Sequence, residues 1–157
     1  DPKNATTQIV LATALSEQMG HFDATAAALH EALRLDPQSA VAAHDLQQLA
    51  QSKQMVEDNI AKQRQRVQQA PDDSDAHFRL GVAIAASGDF QAGLRELQKS
   101  IQLRPSYGPG HAESAAIYYQ LGDYAAAWRE VKQSRALGTE PPSGLVAGLT
   151  RKLPQPQ

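Results

Sequence analysis

Ser87-Gly88-Asp89-Phe90 and Leu121-Gly122-Asp123-Tyr124 are the stretches that decide the fold. Each places a glycine two residues ahead of an aromatic ring, and Met19-Gly20-His21-Phe22 does the same earlier in the chain. The interval from Gly88 to Gly122 is the interval from Pro37 to Pro71, and again from Pro71 to Pro105. Gly20 precedes Gly88 by twice as much. A fixed period of this length, about 34 residues, marks a supersecondary unit repeated along the chain. Within the unit, glycine supplies the positive φ that ends one helix, and the ring starts a second helix by packing back on the first. Proline then closes the second helix, because it and the residue before it resist continuing the helical path.

The repeated pattern of small residues, turn glycine, aromatic and closing proline resembles the tetratricopeptide repeat family. In this register the repeats span residues 6–39, 40–73, 74–107 and 108–141. The third carries Gly81, Gly88, Phe90, Gly93, Ser100 and Pro105 on the family's pattern, and the fourth carries Ala115, Gly122, Tyr124, Ala127 and Ser134, with Thr139 in place of the last proline. The first carries Thr13, Gly20, Phe22, Thr25, Ala32 and Pro37. Small residues belong where helices come closest, since a bulky side chain there forces them apart. The resemblance implies an all-α fold: a right-handed superhelical solenoid of about four helix-turn-helix repeats, closed by a C-terminal helix over residues 142–153. Leu145, Leu149 and Leu153 give that last helix a narrow apolar stripe, while Gly144 and Gly148 weaken it. Residues 154–157 are expected to be a disordered tail.

The second repeat departs from the pattern. Gln47, Asn59 and Arg66 stand at small positions and Gln54 at the turn glycine, although Leu46, Leu49, Val56, Ile60 and Val67 keep the apolar register. We expect a loosely crossed helix pair with a kinked connection near residues 52–54. The rival is one long helix over about residues 41–69, since nothing between them forces a stop.

Composition narrows the function. The 157 residues hold 15 basic and 17 acidic side chains, a net charge of −2, so bulk electrostatic binding of nucleic acid or of an anionic membrane is not expected. The absence of cysteine excludes disulfides, Cys-ligated zinc and thiol catalysis. Residues 9–12 and 82–86 are apolar runs, and no apolar run exceeds five residues, far short of the roughly 20 residues of a membrane span. His77 and His111 occupy one position of successive repeats and read as ordinary interhelical histidines rather than metal ligands. The serines form no nucleophile elbow, so neither catalysis nor a cofactor or metal is expected. Asn4-Ala5-Thr6 matches a glycosylation acceptor, a short pattern frequent by chance.

The family resemblance implies a concave groove lined by the first helix of each repeat. Val10, His44, Gln48, Phe78, Val82, Tyr119 and Gln120 fall on its positions, with Phe78, Val82 and nearby Tyr119 as an apolar centre. The groove positions hold no Lys or Arg, which argues against clamping a C-terminal carboxylate. The leading expectation is a non-enzymatic scaffold that presents this groove to a protein or peptide segment. A second is a structural subunit stacking head to tail on other copies, because Asp1-Pro2-Lys3-Asn4 reads like the end of a preceding repeat and the C-terminal cap is weak. A third is the non-catalytic arm of a larger enzyme.

Overall fold

A computed structural model describes residues 4–16 and 20–153. Among these residues there are eight helices and no strand: α1 (Ala5–Ser16), α2 (Phe22–Leu35), α3 (Ala40–Gln69), α4 (Ser74–Ala86), α5 (Phe90–Leu103), α6 (Gly108–Gln120), α7 (Tyr124–Ala136) and α8 (Ser143–Lys152). The chain divides into two compact units, one of residues up to 59 with 86–88, the other of residues 60–85 with the chain from 89 on. The residues expected to form a disordered tail, 154–157, lie outside the described set, as do residues 1–3.

In the first unit the core is made of Ala12, Ala28, Leu29, Ala32 and Ala42, with Ile9, Leu33, Leu46 and Leu49 packed around it. Four of its five buried members are alanines, so α1, α2 and the start of α3 lie close together and Leu29 fills the space among them. The turn before α2 is the weak point. Asp89 and Asp123 cap α5 and α7 by accepting the N–H of Ala92 and Ala126, both at 2.9 Å. His21 holds the same place before α2 and makes no side-chain cap.

Over residues 40–73 the expected helix pair is replaced by one 30-residue helix, α3. The physical reason lies at the missing turn. Gln54 stands where glycine would end the helix, and its Nε2 donates to Asp58 Oδ1 at 2.8 Å, an i,i+4 bond that favours going straight on. No glycine or proline interrupts α3, and bulky Gln47, Asn59 and Arg66 occupy the positions at which a hairpin's two arms would touch. Leu46 and Leu49 pack on the first unit's core, and Ile60 is buried in the second unit's share of the helix.

In the second unit α4 and α5 cross at two glycines. A Cβ on Gly81 would lie 2.9 Å from the Gly93 carbonyl oxygen, and one on Gly93 would lie 2.8 Å from that of Gly81. The turn between α6 and α7 uses Gly122 differently: its φ is +78°, and there is nothing near its missing side chain. Ser100 and Ser134, both fully buried, sit at equivalent places and donate to backbone carbonyls: Ser100 to Ser74 at 2.7 Å, Ser134 to Thr139 at 2.7 Å. α8 packs its Leu149 against Ala115, Ala127, Trp128 and Val131, and Trp128 Nε1 donates to the Leu153 carbonyl at 2.8 Å. Gly148 is more than a weak link in that helix, since a Cβ there would meet the Tyr119 hydroxyl at 2.8 Å.

Two substitutions separate crowding from helix propensity. Gly81→Ala should lower stability by about 1–3 kcal/mol through the collision with α5, whereas Gly144→Ala, on an open face of α8, should raise it by up to about 1 kcal/mol; urea unfolding reads both, and equal effects would contradict the packing described. His21→Asp should add about 0.5–1 kcal/mol by capping α2, and an unchanged or lower urea midpoint would count against it.

Candidate partner-binding site

The residues expected in the groove fall in both units. In the second, Phe78 and Val82 are one helical turn apart on α4 and so share a face. Val82 is 36 % exposed, and half-buried Phe78 rests with Phe90 and Tyr118 on the cluster of Ala85, Leu94, Leu97 and Ile117. The Phe78 ring meets Tyr107 edge-on, with centroids 5.1 Å apart and planes at 88°. The Arg104 guanidinium lies 3.8 Å from the centre of the Tyr107 ring.

Asp75 organises the polar border of this face. Its carboxylate accepts from Arg79 Nε at 2.6 Å and from the Tyr107 hydroxyl at 3.4 Å. The Arg79 hydrogen bond, first among the causes, holds the Asp75 carboxyl below the usual carboxylate range, while burial pushes the Tyr107 hydroxyl up. The groove positions themselves hold no cation, but Arg79 is held by Asp75 and Arg104 lies over Tyr107, the ring that meets Phe78. Sequence reasoning missed both, along with Tyr107, which follows the closing Pro105 in a connection that carries no helical periodicity.

Tyr119 stands near the end of α6. It is half-buried and packs with Tyr118, Tyr124, Leu145 and Val146 around the Ala115, Ala127, Trp128, Val131 and Leu149 cluster. Its ring lies 5.7 Å from that of Tyr124, and α8 covers it at Gly148. Gln120, the next residue, is exposed at the end of α6.

In the first unit Val10 is 63 % exposed on α1. His44 and Gln48 are exposed on α3, joined by a 2.9 Å hydrogen bond between His44 Nε2 and Gln48 Nε2. Gln48 also borders a cleft of about 380 Å³ between α1, α2 and α3 that sequence reasoning did not find. Asn4 is exposed, and its side-chain oxygen accepts the Thr6 N–H at 2.8 Å, helping to start α1.

The two repeat-equivalent histidines each pair with a glutamate of the following helix. His77 Nδ1 lies 2.7 Å from Glu96, and its Nε2 lies 2.9 Å from the Pro71 carbonyl oxygen. His111 Nδ1 lies 2.7 Å from Glu130. The spacing from His77 to Glu96 is the spacing from His111 to Glu130, a signal the sequence carries one period apart. Among the described residues no group of three His, Cys, Asp or Glu is placed to hold a metal ion.

By sequence, no family model and no curated protein matches the chain. By structure it is similar to several solved proteins. MamA from Desulfovibrio magneticus RS-1 aligns with a TM-score of 0.52 at 18 % identity, covering 87 % of this chain and 76 % of that one. A thermophilic TPR protein of Thermus thermophilus aligns at 0.53 and 21 % identity, covering 94 % and 80 %. A further MamA crystal structure aligns at 0.54 and 18 % identity, covering 94 % and 81 %. Likeness at these identities speaks to architecture, and it agrees with the glycine and proline beat of the sequence: the chain has an all-α fold of the tetratricopeptide-repeat type.

Proposed function

We propose that this protein is a non-catalytic interaction module that presents helix faces to a protein or peptide segment. The observation that carries the reading is the α4 face. Val82 stands open to solvent and Phe78 is half-buried, while Asp75, Arg79, Arg104 and Tyr107 hold one another in place at its border. A rigid apolar patch with a paired, hydrogen-bonding rim is suited to one apolar anchor of a partner segment whose backbone and polar groups bond at the edge. Gln120 on α6, together with Val10, His44 and Gln48 of the first unit, belongs to the same proposal as adaptable contacts. Tyr119, covered by α8, serves it as a support for α6. The TPR-type fold supports a binding reading over an enzymatic one, and among the described residues no helix is long and apolar enough to cross a membrane.

A second reading, association with other copies, is favoured by large apolar side chains exposed in the first unit: Val10, Leu11, Val41 and Met55 at 63, 47, 56 and 72 %. Sedimentation velocity from micromolar to millimolar protein separates the two, since association predicts a rising sedimentation coefficient and a constant monomer value removes this reading.

For the leading reading, peptides are selected from a phage-displayed library against the whole chain and their affinities measured for variants. Val82→Arg should weaken the selected peptides about tenfold or more while leaving the melting temperature within a few degrees, and Phe78→Ala should weaken them as well. Peptides that bind both variants as they bind the parent would exclude the α4 face as the docking surface.

A further inference from the structure

We infer that the cleft between α1, α2 and the first half of α3 takes the basic side chain, lysine or arginine, of a partner segment. The cleft is bounded by Ala12, Thr13 and Ser16 of α1, Thr25 and Leu29 of α2, and Asp45, Gln48, Leu49 and Ser52 of α3. Its volume of about 380 Å³ is ample for a long side chain with water around its head. Ala12 and Leu29, both buried, and half-buried Leu49 give it an apolar floor.

Most of the polar groups above that floor present acceptors. Thr13 Oγ1 donates its proton to the Ile9 carbonyl at 3.0 Å, Ser16 Oγ to that of Thr13 at 2.7 Å, and Thr25 Oγ1 to that of His21 at 2.8 Å. Each hydroxyl therefore keeps only lone pairs to offer. With Gln48 Nε2 turned to His44, the Gln48 carbonyl oxygen is likewise an acceptor. Asp45 contributes a carboxylate, and among the described residues no Lys, Arg or His lines the cleft. Lys53, on the same helix, is held by Asp23 at 2.8 Å instead. The positive end of α2 carries Asp23 in its first turn, which offsets it.

An anion meets the Asp45 carboxylate with no cation lining the cleft to offset it, and an uncharged apolar side chain leaves Asp45 without a partner. A lysine or arginine satisfies both features: its methylene stem lies on Ala12, Leu29 and Leu49, and its cationic head donates several hydrogen bonds at once to Asp45 and the hydroxyls. Gln48 belongs both to this cleft and to the proposed docking positions, so the side chain arrives on a bound segment. The inference rests on the proposed function for that point alone, namely that a protein segment carries the basic group.

The test is an NMR titration of the isotopically labelled whole chain with three capped tripeptides, Ala-Lys-Ala, Ala-Arg-Ala and Ala-norleucine-Ala, and with butylamine. The lysine and arginine peptides should give saturable amide shifts at Thr13, Thr25, Asp45 and Leu49. Norleucine, with the stem but no charge, and butylamine, with the charge but no backbone, should bind at least fivefold more weakly, an interval of about 1 kcal/mol. Asp45→Asn should weaken the lysine peptide about tenfold, and added salt should weaken it further. Norleucine binding as well as lysine, Asp45→Asn binding like the parent, or no saturable shift would each overturn the assignment, and butylamine equal to the lysine peptide would overturn its attribution to a protein segment. Val82→Arg, titrated in parallel, should shift like the parent; if it also keeps the library-selected peptides while the lysine shifts persist, the α4 face fails and the cleft stands, whereas lost peptides with no lysine shifts mean the reverse.

Discussion

Helices of a hairpin close on each other only where the residues between them are small enough, and the structure turns on where this condition is met. At Gly81 and Gly93 the backbones of α4 and α5 come so near that even a methyl group would collide with a carbonyl oxygen. Ala115 and Ala127, which stand one repeat further along, are fully buried in the cluster that α8 covers. In the first unit the alanines at 12, 28, 32 and 42 play the same part. Close approach excludes water from the leucines alongside, and burying each such side chain contributes about 1.5–3 kcal/mol. Everything exposed on the outer faces of these hairpins inherits its position from that contact.

Residues 40–73 show the converse. With Gln47, Asn59 and Arg66 at the contact positions, two arms folded together would bury polar side chains and a charge against each other. With Gln54 at the turn and its bond to Asp58, the helical path has no reason to end. The result is α3, whose first residues complete one core through Ala42, Leu46 and Leu49 while its later residues bury Ile60 and Gln63. Its middle is largely exposed, Met55 at 72 %. The acceptor-lined cleft lies beside the first part of this helix, where Asp45, Gln48, Leu49 and Ser52 face α1 and α2.

Much of this was legible in the residues. Positive-φ glycines, aspartate caps and buried serines recur with the repeat because each answers a local backbone requirement, and local requirements leave a mark in sequence. The long helix was legible too, in the absence of any glycine or proline from 40 to 69, but the intact apolar register at Leu46, Leu49, Val56, Ile60 and Val67 argued the other way. What escaped were consequences of tertiary packing. Gly148 reads as a helix-weakening residue until Tyr119 is seen against it. The edge-on partner of Phe78 is Tyr107, which lies in a connection with no period of its own and carries Arg104 on its ring. The cleft depends on which way three hydroxyl protons point, and no pattern of residue types records that.

The account stands on the claim that small contact residues, rather than the apolar register, decide where this chain folds back on itself. Spin labels at Ala43 and Gln65, both exposed, measure it directly by double electron–electron resonance. A continuous α3 places their Cα atoms about 33 Å apart at 1.5 Å per residue, so the spectrum should show a single narrow population near that separation. A population at the roughly 10 Å of packed helices would mean that the hairpin closes despite Gln47, Gln54, Asn59 and Arg66, and would contradict the account.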